Sequence, residues 1–189
     1  MDMNKKAKLI ELGQKAISEF NPELAFQFYE KALAIDGNNS VILDILGEIC
    51  VQLSKPDKAQ WYFKRSVDLD PNSSPYKWLY LAQLTEGAES LAMYDKGIVL
   101  LSRKLDSTFV EKEKEKIIGE LCRAHCSVAE LHMTDLCMEE NAETRCEAAV
   151  NAALQLENNS LDGQLALASL RLSQSRPDDA CIAMIKVSD

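Results

Sequence analysis

Cys122, His125 and Cys126 fall at i, i+3 and i+4, so on a helix they share one face, with His132 and Cys137 close behind. Thiol and imidazole groups at that density are the raw material of a zinc site. Against it, ligand pairs of structural zinc sites usually come from knuckles or separate elements, whereas cysteine inside a helical pattern ordinarily fills a small buried slot. No metal and no cofactor is expected. Nucleophilic catalysis needs a base and an orienting group beside a Ser or Cys. The chain offers two histidines, no Gly-rich nucleophile turn and no phosphate-cradling glycine loop, so it does not read as an enzyme. What remains is charge. Asp135, Glu139, Glu140, Glu143 and Glu147 form a nearly unrelieved acidic stretch, broken by Arg145. Two readings of it stand: a solvated turn whose carboxylates sit at a helix N-terminus, or a surface for a cationic partner. The alternating run from Glu111 to Lys116 reads as the solvated start of a helix.

The elements that must position these groups are helices. Hydrophobic residues make up 47% of the 189, aromatics 6%, and there are 7 Gly and 5 Pro, a balance that favours helices packed through Ala and Leu over sheets. The net charge of −9 disfavours nonspecific attraction to nucleic-acid phosphates and favours a basic partner. It is uneven: residues 1–75 carry 9 basic and 11 acidic side chains, residues 76–189 carry 12 and 19. Apolar stretches fall short of the roughly 18 residues that cross a bilayer. The lysine-rich start is not followed by a hydrophobic signal core, so no membrane association is expected, and cytoplasm and nucleus are the expected locations. The six cysteines are expected to be reduced and mostly buried.

Self-similarity has a period of 34: Leu12 and Gly13 recur as Leu46 and Gly47, Ala25 as Ala59, Tyr29 as Phe63, and Ala32 as Ser66. The unit is a helical hairpin in which a small residue lets the first helix approach a stripe at i, i+4 and i+7 on the second. Asn21 Pro22 Glu23 and Lys55 Pro56 Asp57 punctuate the hairpins, since proline in a first turn costs no hydrogen bond. The run from Ser175 to Ala180 repeats that from Ser54 to Ala59, placing Leu167, Ala168 and Met184 where Leu46, Gly47 and Phe63 fell. Two units between are degraded. One has a short helix over Trp78–Leu84, a turn at Glu86 Gly87 and a stripe of Ser90, Tyr94 and Gly97. The other has a long helix from about Val110 to Leu136, returned by Cys146, Val150, Ala153 and Leu154. The expectation is a single all-α domain over 1–189, a right-handed α-solenoid of about five tetratricopeptide-like hairpins, approximately 6–38, 40–73, 75–104, 109–158 and 161–189. The chain stops at Asp189 with no separate capping helix, as expected of one cut short or one whose acidic tail has been removed.

First helices of such hairpins line a concave groove, so residues off the packing stripe are the candidates for contact: Gln14, Ile17, Asp44, Glu48, Tyr80, Gln83, His132 and Asp135. Glu139 and Glu143 join them from the acidic stretch. Carboxylates, amides and an aromatic suit an extended basic peptide with apolar anchors. A general adaptor or co-chaperone that binds another protein's peptide segment is the alternative. The subset that clamps chaperone C-terminal carboxylates is a poorer fit, because Ile10, Gln14 and Ile45 stand where cations or Asn would be needed.

The stretches Trp78–Leu84, Glu89–Gly97, Met133–Glu147 and Leu167–Gln174 resemble the dedicated assembly chaperones of large-subunit ribosomal protein L-4, a tetratricopeptide family. The resemblance spans most of residues 77–180; residues 1–75 match the general repeat alone. It implies a chaperone that captures the newly made basic protein through its long internal loop and keeps it soluble. Nuclear import and large-subunit assembly would follow. It implies one partner, that ribosomal protein, with no direct nucleic acid and a chain otherwise monomeric. The acidic tail expected of that family is missing from this sequence.

Overall fold

The computed structural model describes residues 2–186. Among them ten α-helices follow one another without a strand: α1 Asp2–Ser18, α2 Pro22–Ile35, α3 Ser40–Gln52, α4 Pro56–Leu69, α5 Tyr76–Gln83, α6 Gly87–Ser107, α7 Glu111–Met133, α8 Ala142–Leu156, α9 Leu161–Ser173 and α10 Pro177–Ile185. The expected all-α fold of helical hairpins is what the chain adopts. It gathers into two compact units, drawn from residues 1–84 and 85–189. The division falls inside the segment 75–104 that the repeat spacing treats as one hairpin: α5 lies in the first unit and α6 in the second.

In the first unit α1 packs on α2 and α3 on α4. Pro22 and Pro56 open α2 and α4, and the Asn21 and Asn39 side chains accept from the Leu24 and Ile42 amides at 3.1 Å, satisfying donors a helix start leaves orphaned. The small-against-large packing is literal. A Cβ on Gly13 would lie 2.7 Å from the Tyr29 ring, and one on Gly47 2.4 Å from that of Phe63. The stripes Ala25, Tyr29, Ala32 and Ala59, Phe63, Ser66 are buried throughout. The turns repeat as faithfully. Phe20, Ser54 and Ser175 are left-handed at φ 54°, 54° and 59°, and the next amide reaches back five residues in each case, Asn21 to Ala16, Lys55 to Cys50 and Arg176 to Arg171, at 2.8–2.9 Å. This helix-ending motif satisfies the last carbonyls and turns the chain into the return helix.

In the second unit α7 packs on α6, α8 and α9, and α9 on α10. Its core is Leu101, Ile117, Leu121, Ala129, Val150 and Ala153. The long helix stops at Met133, three residues before the expected Leu136, because Thr134 leaves the helical region (ψ −93°) and its hydroxyl caps the Glu130 carbonyl at 2.9 Å. The last hairpin is thinner than its sequence analogy implies, with a core of Ala168, Ala180 and Ala183. Met184, in the register of the fully buried Phe63, is 41% exposed, and Ala168 stands in the register of Gly47. Residues 187–189 of the expected fifth hairpin lie outside the described residues. The cysteines are all free, but only Cys50, Cys122 and Cys146 are fully buried; Cys137 and Cys181 are exposed, on a turn and on α10. No helix among the described residues is long and apolar enough to cross a membrane.

Candidate partner-binding surface

The first-unit candidates do not share one environment. Asp44, expected in the groove, is 7% exposed and belongs to the interior. Its Oδ2 lies 3.8 Å from the Lys77 ammonium and accepts from the Ser73 hydroxyl at 3.3 Å. Lys77, fully buried, also donates to Ser66 Oγ at 3.1 Å, to Ser73 Oγ at 2.6 Å and to the Asp70 carbonyl. Burial pushes the Asp44 carboxyl up and the Lys77 ammonium down, against their mutual attraction. Asp44 is therefore a structural ion-pair member, because α5 delivers a lysine onto it. Tyr80 stacks on Phe63, ring centroids 5.2 Å apart and planes 7° from parallel, and is half-buried, as is Glu48 on α3. Gln83, at the end of α5, is exposed, as are Gln14 and Ile17 on α1.

The second unit holds the excess acid: residues 85–189 carry 11 basic and 19 acidic side chains. Between α7 and α8 the chain turns through residues 134–141, and Asn141, left-handed at φ 66°, opens α8. Asp135 is exposed, but its Oδ2 accepts from the Gly87 amide at 2.9 Å, so it anchors the start of α6. Charge reversal there would disturb a helix terminus as well as any partner, which makes it a poor probe of binding alone. Glu139 and Glu140 are exposed; Glu139 lies 3.6 Å from Arg145. Glu143, in the first turn of α8, accepts from Gln174 Nε2 at 2.6 Å.

His132 is 4% exposed, in the last turn of α7. Burial first, then the Arg145 charge, hold its imidazole below the ordinary range and favour the neutral form, against the pull of Glu139 and Asp95. With Glu143 it lines a pocket of about 240 Å³ that also involves Cys137, Ala142, Cys146, Ser173 and Gln174. Two residues absent from the sequence-derived set organise its rim. Arg171 Nη1 donates to Glu147 Oε1 at 3.0 Å and to Gln174 Oε1 at 2.7 Å, and Gln174 Nε2 reaches Glu147 at 3.1 Å. Their i, i+3 spacing at the end of α9, with Gln174 capping the helix, is a usable signal, but the carboxylates they meet lie 24 to 31 residues away.

Gln174 first, then Arg171, hold the Glu147 carboxyl below its usual range. A carboxyl depressed in the folded state adds stability above its unfolded value, near 4.3, that is lost as pH falls through the folded value. Acid titration followed by circular dichroism should therefore show a slightly lower acid midpoint for the native chain than for Glu147→Gln.

The zinc reading does not assemble. Among the described residues no three His, Cys, Asp or Glu side chains gather as metal ligands, and Cys122 Sγ lies instead 3.0 Å from Ser160 Oγ.

No protein-family model matches the chain. A protein of Schizosaccharomyces pombe named "Probable assembly chaperone of rpl4" is 35% identical to it, over 95% of this chain and 54% of that protein. One of the same name from Emericella nidulans is 30% identical, over 94% and 47%. Among solved structures, residues 1–338 of the assembly chaperone of RpL4, Acl4, superpose with a TM-score of 0.87 at 27% identity, covering 96% of this chain and 74% of that one. A MamA crystal structure superposes at 0.70 with 16% identity, a likeness of fold alone. The chain spans about half the length of the curated relatives it matches. Along nearly its whole length the all-α chain of helical hairpins is similar in sequence to proteins named assembly chaperones of rpl4 and similar in fold to the solved Acl4 structure.

Proposed function

We propose that this chain holds a newly made basic ribosomal protein of the large subunit, of the rpl4 kind, keeping it soluble until it is assembled. Homology to proteins named for that task carries the reading, and the charge distribution supports it. An unassembled ribosomal protein rich in Lys and Arg binds RNA nonspecifically through phosphate contacts. A surface bearing Glu139, Glu140 and Glu143 neutralises it until RNA competes. The client segment is its extended internal loop, and the chaperone accompanies it from cytoplasm to nucleus as a holder rather than a catalyst. Of the expected contact residues, Glu48, Tyr80, Gln83, Glu139 and Glu143 are kept as partner contacts; Asp44 is built into the interior.

Titration of the native chain with the isolated internal loop of the ribosomal protein tests this. Binding at low salt that weakens as salt rises is expected. The double variant Glu139→Lys, Glu140→Lys, both on the exposed turn before α8, should bind about tenfold more weakly at low salt, with the deficit shrinking at high salt and helicity unchanged. No binding of the loop, or preference for a short acidic C-terminal peptide, overturns the reading.

A further inference from the structure

The return helices of the first unit carry a groove that client capture does not use. Repeat register explains how it forms. Lys31 and Arg65 stand 34 positions apart, so they are equivalent residues of α2 and α4, and Gln27 and Trp61 are a second such pair. All four line an open groove of about 540 Å³, to which Leu33 and Ala34 add apolar surface. None of its lining residues lies on α1, α3 or α5, which hold the first-unit contact candidates. Trp61 is 52% exposed, yet its ring is fixed: it lies edge-on to Tyr62, centroids 4.9 Å apart, with the Arg65 guanidinium 5.3 Å above it. Arg65 is pinned as well, since its Nη2 donates to the Gly37 carbonyl at 2.7 Å. The Tyr62 hydroxyl donates to Glu30 Oε1 at 3.0 Å. Among the described residues neither Lys31 nor Arg65 forms an ion pair with a carboxylate, and Lys31 sits 6.0 Å from the Phe28 ring of its own helix. In a chain of net charge −9, two such cations beside an exposed, immobilised indole suit an acidic ligand.

We propose that this groove docks a short segment of a second protein in which an aliphatic side chain is flanked by carboxylates. The aliphatic group packs on Trp61, Leu33 and Ala34, and the carboxylates pair with Arg65 and Lys31. A guanidinium already held in place loses little freedom on meeting a carboxylate. Trp61 supplies the large, rigid apolar area that anchors interfaces. Nucleic acid fits less well. Lys31 and Arg65 against Glu30 leave the groove a net charge of +1, while a strand brings a phosphate at every nucleotide to a chain that is acidic overall. Docking here leaves the candidate client contacts on α1, α3 and α5 free, so the inference does not rest on client capture.

The probe is a set of short capped peptides, each with one leucine, isoleucine or valine among glutamates, matched by a set with glutamine in place of glutamate. In titrations of the native chain followed by fluorescence anisotropy, at least one glutamate peptide is expected to bind about tenfold more tightly than its glutamine counterpart. That binding should fall about tenfold in Trp61→Ala and in Arg65→Gln. It should rise in Glu30→Gln, which keeps an acceptor for Tyr62 but removes the opposing charge. Lys31→Gln, at an exposed position, should weaken it and keeps the test decisive if Arg65→Gln loses helix. Binding of the ribosomal-protein loop, measured in parallel, should be unchanged in all four variants. Failure of the native chain to bind that loop ends the client reading and leaves the groove assignment standing. The groove assignment is overturned if no peptide shows a preference for glutamate, or if binding survives both Trp61→Ala and Lys31→Gln. A uridine oligonucleotide that binds through Trp61 when the peptides do not would assign the groove to nucleic acid, and self-association lost in Trp61→Ala would assign it to a second copy; either result also overturns it.

Discussion

Lys77→Ala is expected to destabilise the first unit by about 3–5 kcal/mol, measured as a lower urea midpoint of helical circular dichroism. The ammonium is enclosed by Ser66, Ser73, the Asp70 carbonyl and Asp44, and its removal leaves Asp44 buried with the Ser73 hydroxyl at 3.3 Å. The directions of the two pKa shifts show that burial opposes both charges, so the pair as a whole adds little net stability. The double variant Lys77→Met, Asp44→Leu should accordingly recover to within about 1 kcal/mol of the native chain or exceed it. A Lys77→Ala loss below about 1 kcal/mol would mean that water reaches Asp44, and would return that carboxylate to the pool of possible partner contacts.

Gly47→Ala sets two effects of opposite sign against each other. Alanine in a helix interior is worth about 1 kcal/mol over glycine. Here, however, the new methyl would lie 2.4 Å from one Phe63 ring atom and 2.6 Å from another, and the ring is rigid and stacked on Tyr80. Overpacking of that kind costs up to about 3 kcal/mol, so a net loss of about 2 kcal/mol is expected. Gly119→Ala is the control: its Cβ would meet nothing nearer than an Arg123 guanidinium nitrogen at 3.8 Å, and it should gain about 0.5–1 kcal/mol. A methionine is unbranched and flexible, and can move away from an added methyl group where a phenyl ring cannot. Adding Phe63→Met to Gly47→Ala should therefore recover part of the loss. Because Tyr80 rests on Phe63, Gly47→Ala is also expected to weaken loop binding, whereas Gly119→Ala leaves it unchanged. Equal stability of the two alanine variants would show that the first hairpins are not held by this contact.

What the sequence determined by itself was whatever repeats or acts over one or two turns of helix. The 34-residue spacing located the glycines that meet Tyr29 and Phe63, because a missing Cβ and a ring at fixed register leave a readable pattern. Prolines at the first helical position located the starts of α2, α4 and α10. The excess acid after residue 75 was legible as a count, and it fell in the second unit. Only the tertiary structure decided which charges are surface and which are structure. Asp44 and Glu139 both read as acidic side chains in the sequence, but one meets a buried lysine 33 positions away and the other faces solvent. Asp135 holds the amide of Gly87 across 48 positions, and Gln174 holds Glu143 across 31. Such pairings depend on where helix ends arrive after packing. Sequence periodicity fixes the face of a residue, while its partner is fixed by the neighbouring helix, and it is the partner that sets charge state, exposure and use.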